Sequence, residues 1–415
     1  METESVDMQT TSMETPLIQN SDNEKSKISM FRAVVFLTNV ITGTGALTIP
    51  YCFRTGVGTN SIVLIFIALI SYLSVVLLID TSKKSGTSDY DLLMGASFSN
   101  KKLKIIPQLT TFITLFGIII VYIQFVCSLF QSVFDEINGV PNLLYKRWFL
   151  IPIAIGCVTL PITMLKSIGA LSYVSIFSIA MSLIYVVHGI YIFFSQDKFD
   201  PDNRLVIFST NSIFIPSLAT QCSSFTCQPF VFSTLLQMKN CTISRQYKAM
   251  FFAILTSSLL YYIGGIFPYL TFFDDIKDAM VISYFKKGNV FTIIVKGLFT
   301  LLTMLSCPNV VFFCRKSLND MIFGTEPTTL RWIIMGFIII VVTATIAITV
   351  KSISTLFGFI GGLACPVMAY ILPSTYYLRI CHGDSIPKTI GAYTLLVIGF
   401  LFIVVCMYNN IKNLI

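Results

Sequence analysis

The chain is poor in charge, in histidine and in long polar stretches. Of its 415 residues only 12% are charged and two are histidine, whereas 55% are hydrophobic. Soluble domains average about 25% charged residues, so this composition excludes an ordinary soluble protein. Two histidines and few neighbouring carboxylates leave little material for a hydrolytic or metal site, and we expect no enzyme. The sequence has no ATP-binding motif, which argues against an ATP-driven pump.

The basic residues are the one charged class in excess, with a formal net charge of +8. Such an excess can indicate a nucleic-acid partner. Here, however, Lys and Arg are scattered at the ends of apolar runs and do not cluster in one stretch. That placement is typical of membrane topology, so we expect a lipid bilayer and no nucleic acid.

Long apolar runs are what the chain has in abundance. Residues 1–28 are polar and rich in Ser, Thr and Met, and we expect a disordered cytoplasmic tail there. Residues 29–415 are predicted to form one transmembrane domain. Runs of about 20 apolar residues are long enough to span a bilayer. About eleven such spans are predicted, at 33–53, 60–80, 107–133, 148–164, 168–194, 211–236, 249–273, 290–313, 332–350, 354–378 and 389–408.

The distribution of Lys and Arg orients these spans. With the N-terminus in the cytoplasm, most of the basic residues fall in cytoplasmic connections, as the positive-inside rule requires. The connections contribute Lys83, Lys84, Lys101, Lys102, Lys104, Lys166, Lys239, Arg245, Lys248, Arg315, Lys316, Arg331, Arg379 and Lys388, and with Lys25, Lys27 and Arg32 of the tail 17 of the 28 basic residues lie inside. The sequence leaves open whether the membrane is the plasma membrane or that of a vacuole or lysosome.

The first apolar run is a poor plain helix. Residues 39–50 read Asn-Val-Ile-Thr-Gly-Thr-Gly-Ala-Leu-Thr-Ile-Pro. Gly43 and Gly45 each weaken a helix by about 1 kcal/mol relative to Ala. Backbone polar groups freed at membrane depth are tolerated only where protein or a water-filled cavity surrounds them. The pattern predicts that the first span is interrupted near Gly43.

The sixth run is irregular as well. It reads Ile-Pro-Ser-Leu-Ala-Thr-Gln-Cys-Ser-Ser-Phe-Thr-Cys-Gln-Pro over residues 215–229, with two prolines around a polar middle. Because proline removes a backbone donor and clashes with the preceding turn, we expect a break near Ser223–Cys227. Two broken helices five spans apart are typical of inverted-repeat secondary transporters, which bind a small polar solute or ion at the breaks.

Several motifs in their order along the chain resemble the amino acid/auxin permease family, and especially its sodium-coupled neutral amino acid transporters. The similar elements are Asn39, Gly43, Gly45 and Leu47; Gly117, Tyr122 and Phe125; Leu160, Pro161, Leu165, Lys166, Leu171 and Ser172; Phe225, Cys227 and Pro229; and the stretches 357–362 and 371–374. The resemblance implies a LeuT-like fold of five plus five helices, with the first and sixth broken. The chain departs from the family at Gln228, where the family has His, and at Leu236 and Gln237, where it has two glutamates.

The breaks supply the candidate substrate-binding residues. The first break contributes Thr42, Gly43, Thr44 and Gly45, whose backbone amides could face a substrate carboxylate. The alternative is that the glycines only permit close helix packing. The sixth break contributes Ser223, Ser224 and Phe225. Freed carbonyls there could accept a substrate ammonium while the Phe225 ring covers the cavity; the alternative is that the serine hydroxyls bond back to their own helix.

Tyr122 on the third span is a further substrate candidate, although a tyrosine in a span can also serve packing alone. For a bound ion we select Asn39, Thr42 and Ser306. Oxygen ligands suit a hard cation such as Na⁺. In the sodium-coupled relatives an Asn of the first span and a Thr of the eighth have this role, and proton-coupled relatives can keep the Asn. Coupling to Na⁺ or to H⁺ therefore remains open.

Lys296 is the one basic residue expected inside an apolar run. It lies six residues into the eighth predicted span, roughly 9 Å below its edge at 1.5 Å per residue. We expect its side chain to reach the membrane interface. The alternative is a protonatable group that replaces a bound cation.

These features predict a secondary active transporter of amino acids, driven by a Na⁺ or H⁺ gradient and functional as a monomer. Neutral amino acids are expected as substrates, because no charged side chain lies at either break. No cofactor is expected beyond a possible bound Na⁺. The alternatives are an ion channel or exchanger, which would need rings of carbonyls or charges along a pore, and an amino acid receptor that signals without useful turnover.

Overall fold

The computed structural model describes residues 28–43, 45–137, 139–164, 169–195, 205–276, 290–350, 356 and 358–412. These residues form helices joined by short connections, and the only β-type pairing among them is the bridge between Ile28 and Met238. The expected all-α class is confirmed. Apart from Ile28, the predicted tail lies outside the described residues, and the division of the chain at residue 28 stays a prediction.

Fifteen α-helices follow one another in this part of the chain. They are α1 Met30–Thr42, α2 Gly45–Cys52, α3 Val57–Ser85, α4 Tyr90–Ser97, α5 Ile105–Phe134, α6 Arg147–Ala154, α7 Leu160–Thr163, α8 Gly169–Phe194, α9 Phe214–Ser224, α10 Gln228–Leu235, α11 Ile243–Phe272, α12 Val290–Ile322, α13 Thr329–Thr349, α14 Leu372–Ile380 and α15 Ile386–Lys412. Ile155–Thr159, Ile360–Ala364 and Val367–Ile371 are π-helical.

The first span is broken at Gly43, as predicted. Helix α1 ends at Thr42, and the Gly43 amide donates to the Asn39 carbonyl at 2.9 Å. Gly43 has φ +32°, a region that side chains with a Cβ rarely occupy. Helix α2 then starts at Gly45, and the two pieces of the span are bent by 52°.

The sixth span is broken between Ser224 and Gln228, which confirms the second predicted interruption. Helix α9 ends at Ser224 and α10 starts at Gln228. Pro229 lies in the first turn of α10, where the amide that it lacks is not needed. The side-chain oxygen of Gln228 accepts from the Cys227 amide at 2.9 Å. A side chain thus satisfies a backbone donor that the break sets free.

The described helices cover the eleven predicted spans in different ways. Seven helices of the described chain are long and apolar enough to cross a membrane, and the bent pair at the first span makes eight. Helical segments also occupy the predicted spans 148–164, 211–236 and 354–378, but π-turns or the sixth-span break interrupt them. The multi-pass class is confirmed, and the count of eleven stays a prediction.

The entry to the first span is tied to the end of the sixth. The Ile28 amide donates to the Gln237 carbonyl at 2.8 Å, and the Lys239 amide donates to the Ile28 carbonyl at 2.9 Å. We call this end of the molecule the N-terminal face. The sequence predicts that it is cytoplasmic, and its orientation in a cell stays a prediction.

Long helices surround the broken ones. Helices α5 and α12 pack along each other, α1 packs on α8 and α11, and α2 packs on α9 and α11. The side of α15 away from this core exposes large apolar side chains, among them Val397, Phe400, Leu401 and Val404. Apolar surface of this kind suits contact with lipid. The breaks therefore lie among helices, where neighbouring protein can satisfy their freed backbone groups.

Two basic residues are buried within the protein. The Lys296 side chain is 1% exposed and pairs at 2.7 Å with Glu136, just past the end of α5, and its position at the membrane interface stays a prediction. Arg315, which we placed in a connection, lies inside α12 and donates to the carbonyls of Trp332 and Thr163 at 2.9 and 2.7 Å. A buried cation is stable only when such partners compensate its lost hydration, and these partners come from distant parts of the chain.

Candidate substrate site at the two helix breaks

One tyrosine joins the two breaks. The Tyr261 hydroxyl of α11 lies 2.5 and 3.2 Å from the carbonyl oxygens of Ile41 and Thr42, and 3.0 Å from that of Ser224. Tyr261 is fully buried. Because the three oxygens belong to helix ends that have lost their regular partners, this single hydroxyl helps to satisfy both ends and fixes the distance between them.

The breaks also touch each other directly at Gly45. A Cβ at this position would lie 2.5 Å from the Tyr261 hydroxyl oxygen and 2.7 Å from the Ser224 Oγ. Real side chains do not approach so closely, so any larger residue would push the first break away from the sixth. Gly45 therefore serves close packing, which was the alternative explanation for the glycines, and Gly43 provides the positive φ at the bend itself.

A cavity of about 80 Å³ lies beside the breaks. One water needs about 10–15 Å³ of such space, so the cavity has room for several waters. The cavity wall combines residues of α1, α2, α5, α9, α10 and α12 with one residue of each break. Its members are Phe36, Asn39, Val40, Ile41, Gly43, Gly45, Leu115, Ile118, Val121, Tyr122, Ser223, Ser224, Thr226, Phe230, Ser306, Asn309, Val310 and Phe313.

The wall is apolar with a few polar groups and carries no Asp, Glu, Lys, Arg or His among the residues that the structure describes. Sequence reasoning placed the site among the first, third, sixth and eighth spans, and the cavity lies among those four. A small solute with a neutral side chain fits such a lining, because nothing there would compensate an added charge.

Tyr122 faces the first break. Its hydroxyl oxygen lies 3.3 Å from the position that a Cβ on Gly43 would take, and its side chain is on the cavity wall. No hydrogen bond joins this hydroxyl to another described residue. It is free to bond a solute in the cavity.

Ser223 and Ser224 both lie on the wall, but Ser224 is largely occupied. Its hydroxyl donates to the Thr220 carbonyl at 2.8 Å, which is the back-bonding considered as an alternative. Its carbonyl lies against Tyr261. The Ser223 carbonyl accepts the Thr226 amide at 3.3 Å and is also approached by the Phe225 amide.

Two predicted site residues are not on the cavity wall. The Thr42 hydroxyl donates to the Thr38 carbonyl of its own helix at 2.5 Å, and the residue is 1% exposed. The Phe225 ring packs edge-to-face on Tyr261, with centroids 5.2 Å apart. Thr44 lies outside the described residues. Thr42 and Phe225 therefore contact the protein beside the breaks and do not face the cavity.

The ion candidates Asn39 and Ser306 both lie on the wall. The Asn39 Nδ2 donates to the Ser175 Oγ of α8 at 3.1 Å. The amide oxygen takes no part in this bond. The assignment of nitrogen and oxygen in such an amide follows from its hydrogen bonds. The Asn39 oxygen and the Ser306 hydroxyl make no bond to another described residue.

Sequence reasoning missed Tyr261 and Asn309. Asn309 lies on the cavity wall with its side-chain oxygen buried and without a partner in the described chain. It follows Ser306 by three residues, so the two share a helix face, and this spacing could have indicated it. Tyr261 shares a face of α11 with Ser257, whose hydroxyl donates to the Thr38 carbonyl. The sequence around them does not show that this face contacts the breaks.

Comparison with known proteins identifies the family. Residues 26–412 match the family described as transmembrane amino acid transporter protein. The chain belongs to this family. It is 25% identical over 402 residues to sodium-coupled neutral amino acid symporter 2 of Danio rerio, covering 89% of this chain and 79% of the relative. It is 24% identical over 454 residues to sodium-coupled neutral amino acid transporter 4 of Pongo abelii, covering 89% and 81%.

Solved structures support the fold. The crystal structure of MhsT in complex with L-phenylalanine superposes with a TM-score of 0.66 and 12% identity, over 94% of this chain and all of that one. A Na⁺-coupled sialic acid symporter gives a TM-score of 0.50 and 13% identity, over 92% and 90%. The expected LeuT-like fold is confirmed. The family makes this chain a secondary active amino acid transporter and not an enzyme, as predicted.

Proposed function

We propose that the chain carries neutral amino acids, coupled to Na⁺, and that the cavity at the two breaks holds the substrate. The observation that supports the substrate class is the described cavity wall, which offers polar groups at the breaks and no charged side chain. The curated relatives named above are described as transporters of neutral amino acids, which supports the same class.

The carboxylate of the substrate would lie at the first break. Helix α2 starts at Gly45, on the cavity wall, and the amides at a helix N-terminus carry partial positive charge. The Tyr122 hydroxyl faces the same break and can donate to a carboxylate oxygen. Together these groups supply the donors that a carboxylate needs without a fixed cation.

The ammonium would lie toward the acceptors of the sixth break and α12. Helices α1 and α9 both end at the breaks, where C-terminal carbonyls carry partial negative charge. Ser223 and Asn309 add oxygen acceptors on the wall. The site thus has partial positive charge at the start of α2 and partial negative charge at the ends of α1 and α9. This arrangement complements the two charges of a zwitterion.

Na⁺ is the coupling ion that the wall favours. Asn39, Ser306 and Asn309 contribute oxygens, the ligands that hard cations prefer. H⁺ coupling at this site would need a side chain that titrates, and the described wall has no carboxylate or histidine. Thr42 would contribute its backbone carbonyl to the ion site, because its hydroxyl bonds its own helix.

The test is uptake into proteoliposomes containing the purified chain. A panel of radiolabelled neutral, acidic and basic amino acids is offered under a Na⁺ gradient or a pH gradient imposed separately. We expect saturable uptake of neutral amino acids that requires Na⁺. Uptake driven by the pH gradient alone would replace Na⁺ by H⁺, flux that does not saturate would favour a channel, and binding without flux would favour a receptor.

A further inference from the structure

A second cavity lies between the central cavity and the N-terminal face. It has a volume of about 360 Å³, and we call it the vestibule. Its wall comes from α4, α5, α10 and α12 and from the connections at the N-terminal face. The lining includes Lys104, Ser233, Leu236, Lys316, Asp320 and Gly324.

The two cavities meet at one side chain. Phe313 of α12 contributes to the wall of both. Its ring packs edge-to-face on that of Phe230 of α10, with centroids 4.6 Å apart and planes at 83°. Phe230 lines the central cavity, and its neighbours Pro229 and Phe232 line the vestibule. Two aromatic rings therefore stand between the spaces.

At the other end of the molecule, described connections are tied to one another by polar bonds. The Tyr261 hydroxyl joins the breaks, and beyond it polar bonds tie the connections together. Arg54 donates to the Ile276 carbonyl at 2.9 Å, the Val57 amide to the Val206 carbonyl at 2.9 Å, and the Asn211 amide group to the Arg54 carbonyl at 3.1 Å. Toward the N-terminal face, by contrast, the Phe230–Phe313 pair lies between the central cavity and the vestibule.

We propose that the Phe230–Phe313 pair is the gate between the substrate site and the N-terminal face. Phe230 belongs to α10, eight residues long and joined to α9 through the break. Phe313 belongs to α12, which packs along α5. A small shift of α10 away from α12 separates the rings and joins the two cavities into one passage.

The vestibule suits the passage of a zwitterion. Its wall carries both signs of charge, with Asp89, Asp91 and Asp320 beside Lys104 and Lys316. A molecule with one ammonium and one carboxylate finds partners for each there. The identity of the solute rests on the proposed function, whereas the position of the gate does not.

Thiol labelling in the central cavity measures the gate directly. Val310 lies on the wall of the central cavity. Val310→Cys is introduced into a Cys241→Ser background, which removes the one partly exposed cysteine among those that the structure describes. The full chain in lipid nanodiscs is treated with a charged methanethiosulfonate reagent. The rate is corrected for the background that lacks Val310→Cys.

Removal of either gate ring should raise the labelling rate, by about tenfold or more for Phe313→Ala or Phe230→Ala, because the passage then stays open. The double variant should label no faster than the faster single one, since either removal opens the same passage. Phe312→Ala is the matched control. Phe312 is the neighbour on α12, packs edge-to-face on Trp332 and on Phe313 with centroids 5.1 and 5.4 Å apart, and lines neither cavity. Its removal should raise the rate far less than that of Phe313.

Equal rates for Phe312→Ala and Phe313→Ala, or an unmodified pair that labels as fast as Phe313→Ala, would overturn the proposal. If Phe313→Ala does not elute as a folded species, Phe230→Ala and Phe313→Leu decide. The labelling rate needs no transported solute. A chain that shows the expected labelling but no amino acid uptake would therefore contradict the proposed function and leave the gate standing.

Discussion

The first and sixth breaks solve the same problem with different chemistry. At the first, glycine carries the chain through φ +32° at Gly43, and the missing Cβ at Gly45 lets the breaks touch. At the sixth, three residues separate the helices, and side chains stabilise the interruption. The Gln228 side chain accepts the Cys227 amide, and Pro229 lies in the first turn of the next helix. The first break is therefore intolerant of side chains, whereas the sixth depends on them.

The comparison predicts its largest effect at Gly43. In Gly43→Leu the leucine backbone must adopt a positive φ, and its Cβ would lie 3.3 Å from the Tyr122 hydroxyl oxygen. We expect radiolabelled amino acid uptake to be abolished while membrane insertion is retained. Gly297→Ala is the control, because a Cβ on this helical glycine meets nothing within 4 Å. Normal uptake by Gly43→Leu would remove the first break from the site.

Tyr261→Phe tests whether the breaks act as a unit. Loss of the hydroxyl leaves carbonyls at both breaks without this donor, at a cost of about 1–3 kcal/mol for buried groups. We expect a lower thermal unfolding temperature and uptake reduced by about tenfold or more. Tyr376→Phe is the control, since the buried hydroxyl of Tyr376 has no partner in the described chain. Equal effects of the two changes would show that the bridge is unimportant.

Ser306→Ala separates the ion from the substrate. Ser306 contributes a hydroxyl to the cavity wall beside the first-break helix. Its removal should raise the Na⁺ concentration for half-maximal uptake by roughly tenfold, the equivalent of about 1.4 kcal/mol. Uptake measured against external Na⁺ at fixed substrate provides the readout. An unchanged Na⁺ dependence, with uptake following pH instead, would assign coupling to protons.

The smallest effect is expected from Gln228→Ala in the sixth break. The change leaves the buried Cys227 amide without its acceptor, which costs about 1–3 kcal/mol of stability. We expect a lower unfolding temperature in detergent with uptake largely kept, because Gln228 does not line the cavity. Gln237→Ala, which removes an exposed amide from a helix end, is the control. If uptake fell as far as in Gly43→Leu, the contrast between the breaks would be wrong.

Local chemistry made both breaks predictable. Glycine and proline act on their own stretch of backbone, so Gly43, Gly45 and Pro229 mark the interruptions without knowledge of their neighbours. Membership of the cavity wall was less predictable. Thr42 and Phe225 lie beside the breaks in sequence but point into the protein, and Asn309 reaches the cavity from another helix.

The sequence by itself determined that the protein is a multi-pass membrane transporter with two broken helices, since hydrophobic length and helix-breaking residues are properties of single segments. Only the tertiary structure decided how the breaks are joined and where the cations are buried. Tyr261 of α11 contacts Gly45 and Ser224, and Glu136, just after α5, pairs with Lys296 of α12. Satisfaction of buried polar groups depends on which distant segments meet, and local composition does not specify that.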